Sequence, residues 1–247
     1  MAFQPKVTPD QMRPLASSET FRFACHPGLS CFTDCCRMLE LALYPYDFVL
    51  LRRATGLDSL KLFDRFIFEE EDARFPLPRH YLAMIDDERV SCPFVTAQGC
   101  KIYPFRPAAC RSYPVGRAAI FNGELTEERF VLVREKHCCG FAEGSNYRPA
   151  DYLAEQDLTT INRCHDAVAR LLQHPEMRNF IANHEQKRLY VLALCQTDLF
   201  RARLQEGDFA DFAAGNPIPA SDEELLPRIA AWLSQKFFPA RKWRRLC

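Results

Sequence analysis

The feature that most constrains this chain is a cluster of four cysteines within twelve residues, Cys25-His26-Pro27-Gly28-Leu29-Ser30-Cys31-Phe32-Thr33-Asp34-Cys35-Cys36. Thiolates bind zinc, copper(I) and iron–sulfur clusters well, and they bind magnesium or calcium poorly. Four more cysteines lie further along the chain, Cys92, Cys100, Cys110 and Cys138. Eight thiols are enough for two four-thiolate sites, so the sequence predicts a metal centre built from cysteine.

The composition is that of a globular protein. The chain has 247 residues, 48% of them apolar, and its formal net charge is zero. This length suffices for one large domain or two small ones with a real hydrophobic core. Nucleic acid is not predicted as a partner, because phosphate binding normally requires an excess of Lys and Arg. We expect an unknown protein or a redox partner instead, and the sequence does not indicate an oligomeric state.

Cysteine usage depends on the cellular compartment. Residues 1–6 lack the apolar core of a signal peptide, and the longest apolar runs are far too short to span a bilayer. We therefore expect a cytoplasmic protein without a membrane span. The chain has twelve cysteines, including the vicinal pair Cys35-Cys36. In a reducing cytosol, such clustering favours metal binding or redox chemistry over a disulfide framework.

The sequence pattern predicts an α-rich α+β fold in three parts. Residues 1–19, with prolines at positions 5, 9 and 14, form an extended N-terminal arm. Residues 20–147 form a cysteine-ligated metal core of short strands and irregular loops. Residues 148–247 form a helical C-terminal region.

Local patterns predict individual elements within these parts. Apolar spacing indicates helices over 46–54, 59–68, 150–174, 176–204 and 222–238. Alternation indicates strands over 21–24, 81–85 and 101–103, with a hairpin turn at Gln98-Gly99. A further helix is expected to begin near Thr33 or Asp34. The candidate N-cap of the first helix is Asp47, that of the second is Asp58 or Ser59, and Gly56 fits the break between the two helices.

Three later motifs follow the first cysteine cluster in order. They are Cys92-Pro93-Phe94, then Gly99-Cys100-x-Ile102-Tyr103-x2-Arg106-Pro107-x2-Cys110-Arg111-x-Tyr113-Pro114, then Cys138-x-Gly140-Phe141. Together with the first cluster they resemble the YkgJ-like cysteine-cluster family of zinc- or iron-chelating proteins. The resemblance covers residues 20–145. It implies a metal centre, and relatives in this family include flagellin lysine methylases thought to hold an iron–sulfur cluster.

The ligand set departs from the family pattern at two places. The six-residue step from Cys25 to Cys31 is a variant spacing, and the vicinal pair Cys138-Cys139 offers two thiols for one role. The family pattern favours Cys138. The expected metal ligands are therefore Cys25, Cys31, Cys35, Cys36, Cys92, Cys100, Cys110 and Cys138.

Helix geometry bears on how many sites these ligands form. Successive helical residues point about 100° apart, so Cys35 and Cys36 do not turn comfortably toward one zinc ion. The simplest arrangement has them serve different metals, or different irons of one cluster. We favour two four-cysteine sites over a single site.

Ligand spacing also bears on the identity of the metal. Structural zinc sites typically use pairs of thiols two to four residues apart, and here only the first cluster has such short steps. Iron–sulfur clusters accept irregular spacing and a remote ligand. The favoured cofactor is an iron–sulfur cluster of the 4Fe-4S type, and zinc is the alternative. His26 and His137, each next to a cysteine, are alternative ligands.

Two arginines near the cysteines are candidates for cofactor binding. Arg106 and Arg111 could offset thiolate charge or donate hydrogen bonds to sulfur or to an anionic substrate. The competing interpretation gives them structural roles, and it is favoured for Arg111. No catalytic residue is assigned, because no nucleophile triad, phosphate-binding glycine loop or dinucleotide motif is present.

Three functions are compatible with this pattern. The favoured one is binding of one or two iron–sulfur clusters, for electron transfer, redox sensing or as the core of an enzyme. The first alternative is a protein with structural zinc and a helical interaction module. The second is a protein-modifying enzyme similar to the flagellin lysine methylases.

Overall fold

The structure, a computed structural model, describes residues 11–72, 74–122, 125–215 and 217–239. The first ten residues of the expected N-terminal arm and the last eight of the C-terminal region therefore lie outside the described residues. The strands are β1 (Met12–Leu15), β2 (Phe21–Phe23), β3 (Ala42–Leu43), β4 (Ile67–Glu70), β5 (Arg79–Leu82), β6 (Val95–Thr96), β7 (Gly99–Cys100), β8 (Val115–Asn122), β9 (Leu125–Val133) and β10 (Ser145–Tyr147).

Helix outweighs strand within these ranges, which confirms the α-rich α+β class. The helices are α1 (Pro45–Thr55), α2 (Ser59–Phe66), α3 (Ala108–Ser112), α4 (Pro149–Glu155), α5 (Leu158–Leu172), α6 (His184–Tyr190), α7 (Thr197–Gln205), α8 (Ala210–Ala213) and α9 (Asp222–Phe237). Short 3₁₀ turns lie at Asp34–Cys36, Tyr103–Phe105, Gly140–Ala142 and Pro175–Asn179, and a π-helical turn lies at Val191–Cys195.

The strands form small antiparallel sheets with the orders β1-β9-β8, β10-β2, β3-β5-β4 and β6-β7. The longest pairing is the β8–β9 hairpin, and the sequence patterns did not indicate it. Five of the nine residues of β9 are exposed in succession, so the strand lacks the apolar alternation that marks a half-buried strand. At Gly116 a Cβ atom would lie 2.6 Å from Val131, so the two strands approach closely there.

Helix ends follow the expected local signals in two cases and differ in a third. Asp58 caps α2 by accepting a hydrogen bond from the Lys61 amide, and Gly56 ends α1 in the left-handed conformation. Asp47 is not the N-cap of α1. It lies in the first turn of that helix and accepts a hydrogen bond from the Tyr44 amide at 2.9 Å.

Several expected elements are shorter than the apolar periodicity indicates. The expected helix over 150–174 is divided into α4 and α5 by Asp157, whose φ of 56° is left-handed. The expected helix over 176–204 is divided among a 3₁₀ turn, α6, the π-helical turn and α7. The expected strand over 101–103 is wrong, because strand β7 ends at Cys100 and a 3₁₀ turn begins at Tyr103.

One hydrophobic cluster joins the cysteine-bearing part to the C-terminal helices. It includes Phe21 and Phe23 of β2, Phe48 of α1 and Leu233 of α9. Helix α5 packs against α9, and α1 packs against both. Among the described residues, no helix combines the length and apolar character needed to cross a bilayer.

Polar contacts fasten α1 to the start of α9. The Tyr46 hydroxyl and the Arg53 guanidinium both donate to Glu223, at 2.5 and 2.9 Å. Burial raises the pKa of Glu223, but these hydrogen bonds outweigh burial and lower it to about 2. The ionised Glu223 therefore stabilises the attachment of α9 to α1.

We expect Glu223→Gln to lower the free energy of unfolding at pH 7 by roughly 1–3 kcal/mol. A depressed carboxyl pKa stabilises the fold above the unfolded pKa, near 4.3, and this contribution is lost as the pH falls toward 2. Urea unfolding should therefore show the two proteins converging in stability below about pH 5. Glu224→Gln, in the same helical turn, is the control. A difference from wild type that stays constant down to pH 3 would contradict this role.

Candidate metal centre

Cys25 is placed by a close approach between two chain segments. Strand β2 pairs with β10 and ends at Phe23, and the Ala24 amide donates to the Gly140 carbonyl at 2.9 Å. A Cβ atom at position 140 would lie 2.3 Å from the Ala24 carbonyl oxygen, so only glycine fits there. The segment that bears Cys138 is thereby held beside Cys25.

The remaining cysteines of the first cluster lie on a series of tight turns. Backbone hydrogen bonds link Asp34 to Cys31 and Cys36 to Thr33, each at 3.0 Å. Thr33 has a φ of 70°, and a 3₁₀ turn over Asp34–Cys36 stands where a helix start was expected. This turn brings the Cys35 and Cys36 sulfurs to 3.9 Å from each other.

The loop that bears Cys92 pairs directly with the first cluster. The Cys92 amide donates to the Cys36 carbonyl at 2.9 Å. The short β6–β7 hairpin follows and leads to Cys100. A hairpin was expected here, but its turn is at Ala97-Gln98, one residue earlier than predicted, and Gly99 already belongs to β7. Gly99 has a φ of 115°, and a Cβ atom there would lie 3.1 Å from the Phe32 ring. Both Cys92 and Cys100 thus approach the turn that holds Cys36.

Cys110 is placed by a buried carboxylate on another helix. It lies on α3, whose first residue, Ala108, donates its amide to Asp47 Oδ1 at 2.8 Å. Asp47 is fully buried, and its other oxygen accepts from the Tyr44 amide. Burial raises the pKa of Asp47, and neighbouring hydrogen-bond donors oppose that effect. The sequence indicated Asp47 only as a helix cap, and nothing in the sequence marks its contact with α3.

Electrostatic coupling shows which thiols lie close together. Burial raises the pKa of Cys25 to about 11, and the charges of Cys35, Cys138 and Cys31 add to this effect. The pKa of Cys36 is raised by its hydrogen bond with Cys35, then by burial, and then by the charges of Cys35, Cys110 and Cys92.

The half-buried Cys110 completes this network. Burial is the main cause of its raised pKa, followed by the charges of Cys92, Cys35 and Cys100. All eight sequence-predicted thiols therefore belong to one coupled network. Cys25, Cys31 and Cys138 form one group, Cys36, Cys92, Cys100 and Cys110 form another, and Cys35 interacts with both groups.

The two candidate arginines have different surroundings. Arg111 is buried, and its guanidinium donates to the backbone carbonyls of Arg106, Pro104 and Gln156. Arg106 stacks on the Tyr103 ring at 3.6 Å and donates to the Gln156 side chain at 3.2 Å. The positive charge of Arg106 opposes the rise in the pKa of both Cys25 and Cys100, one thiol from each group.

The adjacent residues Cys138 and Cys139 differ in solvent exposure. Cys138 is half-buried against the hydrophobic core, and its charge contributes to the raised pKa of Cys25. Cys139 is exposed, and its amide donates to Cys31 Sγ at 3.2 Å. The two neighbouring histidines, His26 and His137, lie instead beside the carboxylates of Glu143 and Glu135, respectively.

The eight thiols lie near one another, but in the described residues their positions are not those of a complete metal coordination sphere. Within residues 11–72, 74–122, 125–215 and 217–239, no three Cys, His, Asp or Glu side chains are arranged to hold one metal ion. The donor chemistry nevertheless fits a soft metal or an iron–sulfur cluster, since every converging side chain is a thiol. Cys164 and Cys195 lie buried in the helical part, away from this network.

Comparison with known proteins identifies the domain. Residues 24–145 match the family model CxxCxxCC, described as "Putative zinc- or iron-chelating domain". Over these residues the chain is similar to the CxxCxxCC family, in agreement with the resemblance of its cysteine motifs. Neither the curated proteins nor the solved structures contain a match to the chain. The CxxCxxCC domain holds all eight predicted thiols, and the family match supports a zinc- or iron-chelating protein.

We expect Asp47→Ala to lower the metal content of the purified protein severalfold. Without the carboxylate, two buried backbone amides lose their acceptor and α3 is no longer fixed beside the other thiols. Metal analysis of the folded, gel-filtered protein is the measurement. Asp58→Ala is the matched control, because it removes a carboxylate that also accepts a backbone amide but lies at the start of α2. Equal metal content in the two variants would contradict a role of Asp47 in placing Cys110.

Proposed function

We propose that the CxxCxxCC domain binds two metal centres of four thiolates each. The ligands of the first are Cys25, Cys31, Cys35 and Cys138, and those of the second are Cys36, Cys92, Cys100 and Cys110. The observation that carries this proposal is the division of the coupled thiols into two groups that meet at the adjacent residues Cys35 and Cys36.

Arg106 supplies charge to both proposed centres. A divalent ion or a doubly charged cluster with four thiolates carries a net negative charge, and two such centres side by side repel each other. Arg106 favours ionisation of a thiol in each group, while Arg111 holds the Arg106 carbonyl in place. We assign Arg106 as the counter-charge and Arg111 as its support.

We propose iron–sulfur clusters of the 4Fe-4S type as the bound groups. The irregular ligand spacing and the ligand from a remote segment, Cys138, support this assignment. The rings of Phe23, Tyr113 and Phe141 pack against one another beside the segment that bears Cys138 and give that side of the site apolar surroundings. When bound, such clusters supply one-electron transfer, and the function we propose is redox chemistry with a protein partner.

Zinc is the second candidate, and one distance favours it. Four thiolates at about 2.3 Å from a tetrahedral zinc ion have sulfurs about 3.8 Å apart. The Cys35 and Cys36 sulfurs are 3.9 Å apart, which suits two ligands of one zinc ion. In that case the metal would hold the fold, and the C-terminal helices would carry any interaction with partners.

Anaerobic purification distinguishes these candidates. We expect a brown protein with broad absorbance near 400 nm and with iron and acid-labile sulfide in equal amounts. Metal analysis, sulfide assay and the absorption spectrum are the measurements. A colourless protein with stoichiometric zinc and no labile sulfide would exclude the iron–sulfur assignment and establish the zinc alternative.

Paired serine variants test the division into two centres. We expect Cys31→Ser and Cys110→Ser each to remove about half of the bound metal, because each breaks one four-thiolate set. The double variant should lose nearly all of it. Cys164→Ser, outside the thiol network, is the control and should keep the full content. If either single variant loses all of its metal while staying folded by circular dichroism, the thiols form a single centre.

A further inference from the structure

A ninth thiol, Cys139, lies at the solvent-facing edge of the cluster. Its backbone amide donates to Cys31 Sγ at 3.2 Å, and its own sulfur lies 3.4 Å from Ser30 Oγ. The Cys31 sulfur is thus within hydrogen-bond distance of the backbone of residue 139. Cys139 is exposed and Cys31 is half-exposed, so the pair lies at the protein surface. Two thiols that lie 108 positions apart in the chain thus meet at the surface.

Adjacent cysteines and cysteines packed against the hydrophobic core are less suited to forming a disulfide. Adjacent residues such as Cys35 and Cys36 have Cα atoms about 3.8 Å apart, whereas disulfides normally need 4.4–6.8 Å. The same restriction applies to Cys138 with Cys139. The thiols of Cys92, Cys100 and Cys110 are packed against the hydrophobic core, where a dissolved oxidant has poor access.

We propose that Cys31 and Cys139 form an oxidation site for hydroperoxides that controls the metal centre. The exposed Cys139 sulfur attacks the peroxide, whose O–O bond breaks to give a sulfenic acid and one molecule of water or alcohol. The Cys31 thiol then attacks the sulfenic sulfur, forms the S–S bond and releases water. Two thiols are oxidised and one peroxide is reduced, so the electrons balance.

Oxidation at this site affects metal binding through Cys31. This part of the inference rests on the proposed function, in which Cys31 is a ligand of the first centre. A sulfur in a disulfide is no longer a thiolate ligand, so oxidation removes one of the four ligands of the first centre. A bound metal competes with the second step for the Cys31 sulfur and slows disulfide formation without preventing it. Reduction by a cellular dithiol restores both thiols.

Peptide mapping tests the oxidation site on its own. The metal-free, reduced full chain is treated with one equivalent of hydrogen peroxide, alkylated, digested and analysed by mass spectrometry. We expect a loss of two free thiols and a cross-linked peptide pair containing Cys31 and Cys139. Cys139→Ser should leave Cys31 alkylated, while Cys195→Ser, which changes a buried thiol outside the cluster, should form the same cross-link as wild type. A dominant cross-link between any other pair, or none at all, overturns the proposal.

Zinc release tests the control of the metal centre. Zinc-loaded protein is used because zinc has no redox chemistry of its own. We expect peroxide to release about half of the zinc from wild type, measured with a chromogenic chelator, and several-fold less from Cys139→Ser at the same dose. Equal release from both proteins, or a disulfide that forms without zinc release, overturns the regulatory claim. Failure of the untreated chain to bind any metal refutes the proposed function instead, and the mapping result still decides the oxidation site.

Discussion

Repulsion between ionised thiols is the constraint on which the cysteine-bearing half of the chain depends. Burial and the charges of neighbouring sulfurs together raise the pKa of Cys25, Cys36 and Cys110. Ionisation of one thiol therefore makes ionisation of the others less favourable. Several thiolates can coexist in this space only when a cation or cluster joins them. The close approach at Gly140 and the buried carboxylate of Asp47 hold the sulfurs near one another in spite of that repulsion.

The predictable parts of the fold are those that depend on local chemistry. The cap at Asp58, the helix end at Gly56 and the amphipathic helix α9 each follow from a few adjacent residues. The β8–β9 hairpin could not be predicted in this way. Most of β9 is exposed, and its extended conformation depends on pairing with β8 rather than on its own residues. The break at Asp157 interrupts an apolar period that continues on both sides of it.

The same distinction applies to the candidate site. Thiol chemistry selected eight cysteines that the structure brings into one network, because cysteines in short motifs are a strong chemical signal. The roles of Arg106 and Arg111 could not be separated from sequence, since both are basic residues within the same motif. Their surroundings distinguish them: Arg111 is buried and donates to three backbone carbonyls, whereas the charge of Arg106 acts on one thiol of each group.

Helix α1 has contacts at its two ends that differ in kind. Its first turn fixes the start of α3 through Asp47. Near its last turn, the Arg52 guanidinium nitrogens lie 3.1 Å from Asp198 Oδ1 in α7 and 3.3 Å from Asp222 Oδ2 in α9. Eleven helical residues span about 16 Å and behave as a rigid rod. Any shift of Cys110 caused by metal binding would therefore be transmitted along this rod to the C-terminal helices. Since such coupling is reciprocal, a molecule that bound those helices and displaced α1 would alter the affinity of the thiols for metal.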